Sequence, residues 1–62
     1  MNLELRGKRI RMTETMVDDT LPIKKGEEGI INHTDDMGTI HVDWDNGRRI
    51  GVIPNIDKYE IL

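Results

Sequence analysis

Few side chains here carry reactive chemistry. The chain of 62 residues has two His, no Cys and no Ser, so its only hydroxyl nucleophiles, apart from Tyr59, are Thr. A Thr nucleophile needs a neighbouring base and a third group to orient that base, and no spacing in the sequence supplies them. His33, His41, Asp35 and Asp36 are the one conceivable set of metal ligands. They lack the His-x-x-x-His or Cys-rich spacing of metal sites, and His41 should point outward from its strand. The carboxylate pairs Asp18-Asp19, Glu27-Glu28 and Asp35-Asp36 are sequence neighbours. General acid–base work needs one carboxyl of a pair buried so that it holds its proton, and turn residues are poorly placed for that. The residues imply a non-enzymatic chain with no cofactor, no metal and no small-molecule substrate.

Charge is the other resource. Twelve acidic and nine basic residues give a net charge of −3, which disfavours general nucleic-acid affinity because Lys and Arg neutralisation of phosphates dominates such binding. The signs are unevenly spread. Arg6, Lys8, Arg9 and Arg11 crowd the start, and Arg48-Arg49 follow a later turn. Alternation puts Arg9 and Arg11 on one strand face, and Arg49 joins them if its strand lies close to theirs. Such a face suits a phosphate backbone. It equally suits a solvated face paired with acids, at a few tenths of a kcal/mol per cross-strand pair. No aromatic interrupts the basic run to stack on bases. Asp18, Asp19, Asp35 and Asp36, with Glu27, Glu28, Asp43 and Asp45, are the mirror case: a negative face able to enter a basic groove on a partner, or turn chemistry and solubility. The candidate partner-binding residues are therefore Arg9, Arg11, Arg48, Arg49, Asp18, Asp19, Asp35 and Asp36.

The elements that position these residues are short. Gly at 7, 26, 29, 38, 47 and 51 and Pro at 22 and 54 punctuate alternating runs. No apolar residues recur at helical spacing over three turns, so no long helix is predicted. Strands are predicted at 8–13, over the stretch Gly26 to His33, at 39–45, at 48–53 and at 58–62. Ile10, Met12, Ile40, Val42, Trp44, Ile50 and Val52 should face inward. Trp44, the only Trp, reads as core in register with Ile40 and Val42, or as an exposed platform for a peptide or base. Asn46-Gly47 predicts a two-residue type I′ hairpin, which needs positive φ at both central residues. Gly29 within a strand start signals a bulge or close backbone approach. Asp35 and Asp36 should cap local N–H groups, with Gly38 at positive φ. The connection 14–25 is long for a compact domain, and Leu21 and Ile23 should fold back onto the core. One domain, 1–62, follows from the length, with a core too small to enclose a pocket of hundreds of Å³. Together the elements predict an all-β, five-stranded SH3-like barrel.

Arg6 to Met12, Pro22-Ile23, Gly26-Glu27-Glu28-Gly29, Gly38 to Gly47, Ile53-Pro54 and Asp57 to Leu62 resemble a family of small proteins of phages and conjugative elements, mostly of Gram-positive bacteria. That family is known as a domain of unknown function, and the resemblance covers nearly the whole chain. The Gly-x-x-Gly start and the Val42-Asp43-Trp44-Asp45-Asn46-Gly47 hairpin also resemble KOW modules and barrel repeats of some ubiquitin ligases. Those resemblances imply binding to RNA, to ribosomal or polymerase partners, or to peptides. Recognition of proline-rich peptides needs several aromatics in one groove, and this chain has one Trp, one Tyr and no Phe. The reading is a non-enzymatic binding module of a phage or mobile element that binds a protein partner, as an accessory factor that inhibits a host protein. The alternative is KOW-like nucleic-acid binding through the basic strand face. A third reading is a subunit that assembles by an exposed strand edge. No run approaches a membrane span, and Met1 to Gly7 lacks the apolar stretch of a secretion signal, which predicts a cytoplasmic protein.

Overall fold

The computed structural model describes residues 5–17 and 21–62. Its strands are β1 (Arg9–Met12), β2 (Glu28–Thr34), β3 (Ile40–Trp44) and β4 (Tyr59–Ile61). They form one antiparallel sheet in the order β3-β2-β1-β4, so the last strand returns to lie beside the first. The described residues contain no α-helix. Alternation decides the faces: Ile10 and Met12 of β1 and Ile40, Val42 and Trp44 of β3 point inward, and Arg9, Arg11, His41 and Asp43 point outward. The inward residues meet Ile31 of β2, Val52, and Met16 and Ile23 from the long connection. Ile23 thus folds back as predicted, whereas Leu21 does not and stands 68% exposed. Trp44 is core rather than a platform.

The five-stranded closed barrel is corrected to a four-stranded open sheet. The predicted strand 48–53 makes only two isolated bridges to β3, Asp43↔Arg49 and Ile40↔Val52. In that register Val42 faces Ile50, yet the Ile50 carbonyl accepts the Trp44 indole N–H at 2.8 Å. Burying Trp44 thus diverts a carbonyl from the ladder, because a buried indole N–H must find an acceptor. The hairpin differs from prediction too. Gly47 N–H donates to the Trp44 carbonyl, and Trp44 N–H donates to the Arg48 carbonyl. Gly47 has φ 88°, but Asn46 does not share the positive φ that type I′ requires. This is the three-residue loop in which a left-handed Gly follows an ordinary turn. Asn46 serves it by side chain: its Oδ1 accepts Arg48 N–H at 2.9 Å.

Two local features set the outer face. Gly29 lies so close to β3 that a Cβ there would stand 2.7 Å from Val42 Cγ1 and 2.8 Å from the Asp43 carbonyl oxygen. Further along, Ile31 pairs with Val42 but His33 pairs with His41, leaving Asn32 as an extra residue on β2. This bulge shifts the phase of alternation. Ile31 is inward, and after the extra residue Thr34 is inward as well. His33 is thereby carried to the outer face beside His41.

Candidate functional site

The outer face of the sheet gathers most of the polar residues singled out from the sequence. On β1, Arg9 donates from Nη1 to Asp45 Oδ1 at 3.0 Å and from Nη2 to Asp45 Oδ2 at 2.6 Å. It also donates to Glu28 Oε1 at 3.1 Å. Arg11 donates from Nε to Glu60 Oε1 at 2.7 Å, with its Nη2 on the same oxygen, and lies 3.8 Å from Glu28 Oε2. These bonds hold the Arg9 guanidinium well above its ordinary pKa, Asp45 contributing first and Glu28 second. Glu60 does the same for Arg11. The Asp45 carboxyl is held below the usual range by Arg9. The cross-strand pairing of these charges follows from register: Arg11 faces Glu28 on one side and Glu60 on the other.

Arg49 does not join Arg9 and Arg11. Its segment lies beyond β3, on the far side of the sheet from β1, and its Nε sits 3.5 Å from Asp43 Oδ1. Arg48 is also separate, on the rim of a groove beside Lys24 and Lys25. The predicted basic face of four arginines is therefore split into three places. The acidic face is likewise dispersed. Asp35 is used by its own loop: Oδ1 accepts Met37 and Thr39 N–H groups at 2.9 and 3.0 Å, and Oδ2 accepts His41 Nε2–H at 2.8 Å. Those donors, His41 first, hold its carboxyl below the ordinary value. Asp36 is exposed in the adjacent turn. Asp18 and Asp19 lie outside the described residues.

Near Asp35, the His33 and His41 rings stack with centroids 4.4 Å apart and planes 9° from parallel. His33 Nδ1–H donates to Asn32 Oδ1 at 2.9 Å, and Asn32 Nδ2 donates to Asp43 Oδ2 at 3.2 Å. A depression of about 210 Å³ runs beside them along His33, His41, Asp43 and Arg49. An Asp–His pair is the orienting half of a nucleophile-activating set, but among the described residues no hydroxyl bonds to His41. No three His, Cys, Asp or Glu side chains of the described residues converge as metal ligands. The stack was not foreseen from the sequence. Its one signal is the polar pair Asn32-His33, which breaks the alternation of Gly29-Ile30-Ile31.

The second concave feature is larger and more apolar. A shallow groove of about 540 Å³ is lined by the apolar Leu21 and Pro22 and by the polar Lys24, Lys25, Glu27, Asn46 and Arg48. Two turns build it. Glu27 Oε2 accepts Lys24 N–H at 2.7 Å and Glu27 Oε1 accepts Asn46 Nδ2–H at 2.8 Å, tying the 24–27 turn to the hairpin. Asp45 N–H adds a bond to the Glu28 carbonyl at 2.9 Å. Lys24 and Lys25 were passed over in the sequence as loop residues, although they follow Leu21-Pro22 directly.

The described residues thus define a small all-β protein with an ion-paired outer sheet face and a cation-rimmed apolar groove at one end. The profile of the family described as Domain of unknown function (DUF4314) matches residues 5–62, and the chain belongs to that family. No curated protein and no solved structure matches the chain. No helix among the described residues is long and apolar enough to cross a membrane.

Proposed function

We propose that this chain is a non-enzymatic binding module whose partner is a protein. We further propose that it serves a phage or mobile element as a cytoplasmic accessory factor, occupying a host protein and inhibiting it. The observation that carries the reading is the pairing on the outer face. Arg9 and Arg11, the core of the basic strand face, are each held by carboxylates of the same chain. A phosphate backbone would have to displace Asp45, Glu28 and Glu60 to reach them, which leaves the nucleic-acid alternative without support on that face. Large apolar side chains stand in solvent at the same time, among them Leu21, Met37, Ile53 and Ile56. Leu21 also lines, with Pro22, a groove edged by Lys24, Lys25 and Arg48, and an apolar patch with a polar border suits protein contacts.

Two measurements test it. A gel shift at low salt should show no RNA or DNA complex, since that is where phosphate binding is strongest. A tagged copy expressed in its natural host should retain one defined protein after nuclease treatment. A complex with nucleic acid that weakens steeply with salt, and no retained protein, would reverse the assignment.

A further inference from the structure

The geometry points to the groove between the 24–27 turn and the 44–48 hairpin as the docking site for an acidic, apolar-anchored segment of the partner protein. This rests on the protein-binding reading and names the chemistry of the partner. Among the described residues, three cations, Lys24, Lys25 and Arg48, line the groove against one carboxylate, Glu27. That carboxylate is spent on the scaffold, because its two oxygens accept from Lys24 N–H and Asn46 Nδ2–H. The three cationic heads make no ion pair among the described residues, unlike Arg9, Arg11 and Arg49. The apolar lining is Leu21 and Pro22, with Leu21 68% exposed. An apolar side chain seated on Leu21 and Pro22 would have its flanking carboxylates within reach of the cations. Such charge complementarity steers encounter and fixes register. The cations are also displayed by braced backbone: Lys25 N–H donates to Thr15 Oγ1 at 3.0 Å and Gly26 N–H to the Met12 carbonyl at 2.8 Å. Braced turns lose little freedom on binding. No Trp, Tyr or His lines the groove, so it offers no stacking platform for a nucleotide base.

The test uses the whole chain and three probes: a short peptide alternating Glu and Leu, the same peptide with Gln for Glu, and a single-stranded oligonucleotide. In amide NMR spectra the Glu–Leu peptide should shift the resonances of Leu21, Lys24, Lys25 and Asn46 to Arg48. The Gln–Leu peptide should bind at least roughly tenfold more weakly. The double reversal Lys24→Glu with Arg48→Glu should abolish Glu–Leu binding and permit a Lys–Leu peptide to bind, with amide dispersion unchanged. Arg49→Glu, outside the groove, should leave binding as it was. Shifts mapping to the His41–Asp43 face, or a retained host partner unaffected by the double reversal, would overturn the groove and leave the protein-binding reading standing. Groove shifts produced by the oligonucleotide and not by the peptide would overturn both.

Discussion

Single residues set the tolerances of this small molecule. Gly29 is a requirement of space: with Asp43 backbone oxygen 2.8 Å and Trp44 Cα 2.9 Å from any added Cβ, the obstacles are backbone atoms that cannot rotate away. Gly29→Ala should therefore cost about 1–3 kcal/mol, the range for overpacked interiors, read as a lower urea midpoint with an unchanged slope. Thr34 is the opposite case. Its Oγ1 is buried without a hydrogen-bond partner among the described residues, so the hydroxyl was desolvated on folding with nothing in return. Thr34→Val removes that unmet group at nearly constant shape and should stabilise the fold by about 1 kcal/mol, raising Tm by several degrees. A lower Tm would mean that the hydroxyl makes a bond in solution. Gly29 was legible in the sequence, because Gly inside an apolar run signals close approach. Thr34 was not, since its inward phase exists only through the bulge at Asn32.

At the scale of elements, ion pairs tie what the backbone leaves loose. The hairpin is joined to the rest of the sheet by few ladder bonds after Trp44, and Arg9 spans from β1 to Asp45 at its tip. Asp35 does the same for the β2–β3 connection through His41. Both carboxyls have folded values below their unfolded ones, Asp45 through Arg9 and Asp35 chiefly through His41. They bind protons more weakly when folded, so their contribution to stability is complete above the ordinary Asp value of about 4. It is lost as pH falls through the lowered folded values. Urea unfolding at about pH 6 and about pH 3 should show the lower midpoint in acid. Asp45→Asn, which cannot titrate, should flatten part of that dependence, while leaving the Asp35 share in place. Equal acid sensitivity in the variant would mean that the Arg9–Asp45 pair is not formed in solution. Strand alternation, the Asp35 cap and the inward face were readable from residue order. The missing strand at 48–53 was not, because nothing in Ile50-Gly51-Val52 announces that the Ile50 carbonyl is claimed by the indole of Trp44, six residues earlier.

For the whole molecule, size governs behaviour. A domain this short hides only about 60% of its unfolded surface, and total stability at the usual 0.05–0.15 kcal/mol per residue comes to roughly 3–9 kcal/mol. Among the described residues the core contributing to it is a single cluster of nine buried apolar residues. Ile10 is at its centre, fully buried on β1, the strand that pairs with both β2 and β4. Ile10→Ala should cost about 2–5 kcal/mol, enough to consume most of the margin and leave a population unfolded at room temperature. Ile10→Val, at about 0.5–1.5 kcal/mol, should stay folded with a lower urea midpoint. Trp44 reports the outcome unaided: it is the only Trp and is buried, so folded protein should emit to the blue of unfolded protein. If Ile10→Ala kept the native emission and a midpoint near that of the parent, the stability would have to come from outside this cluster. The open edges of β4 and of the 48–52 segment would then be the place to look, through assembly of copies at high concentration, a dependence that dilution of the variant would expose.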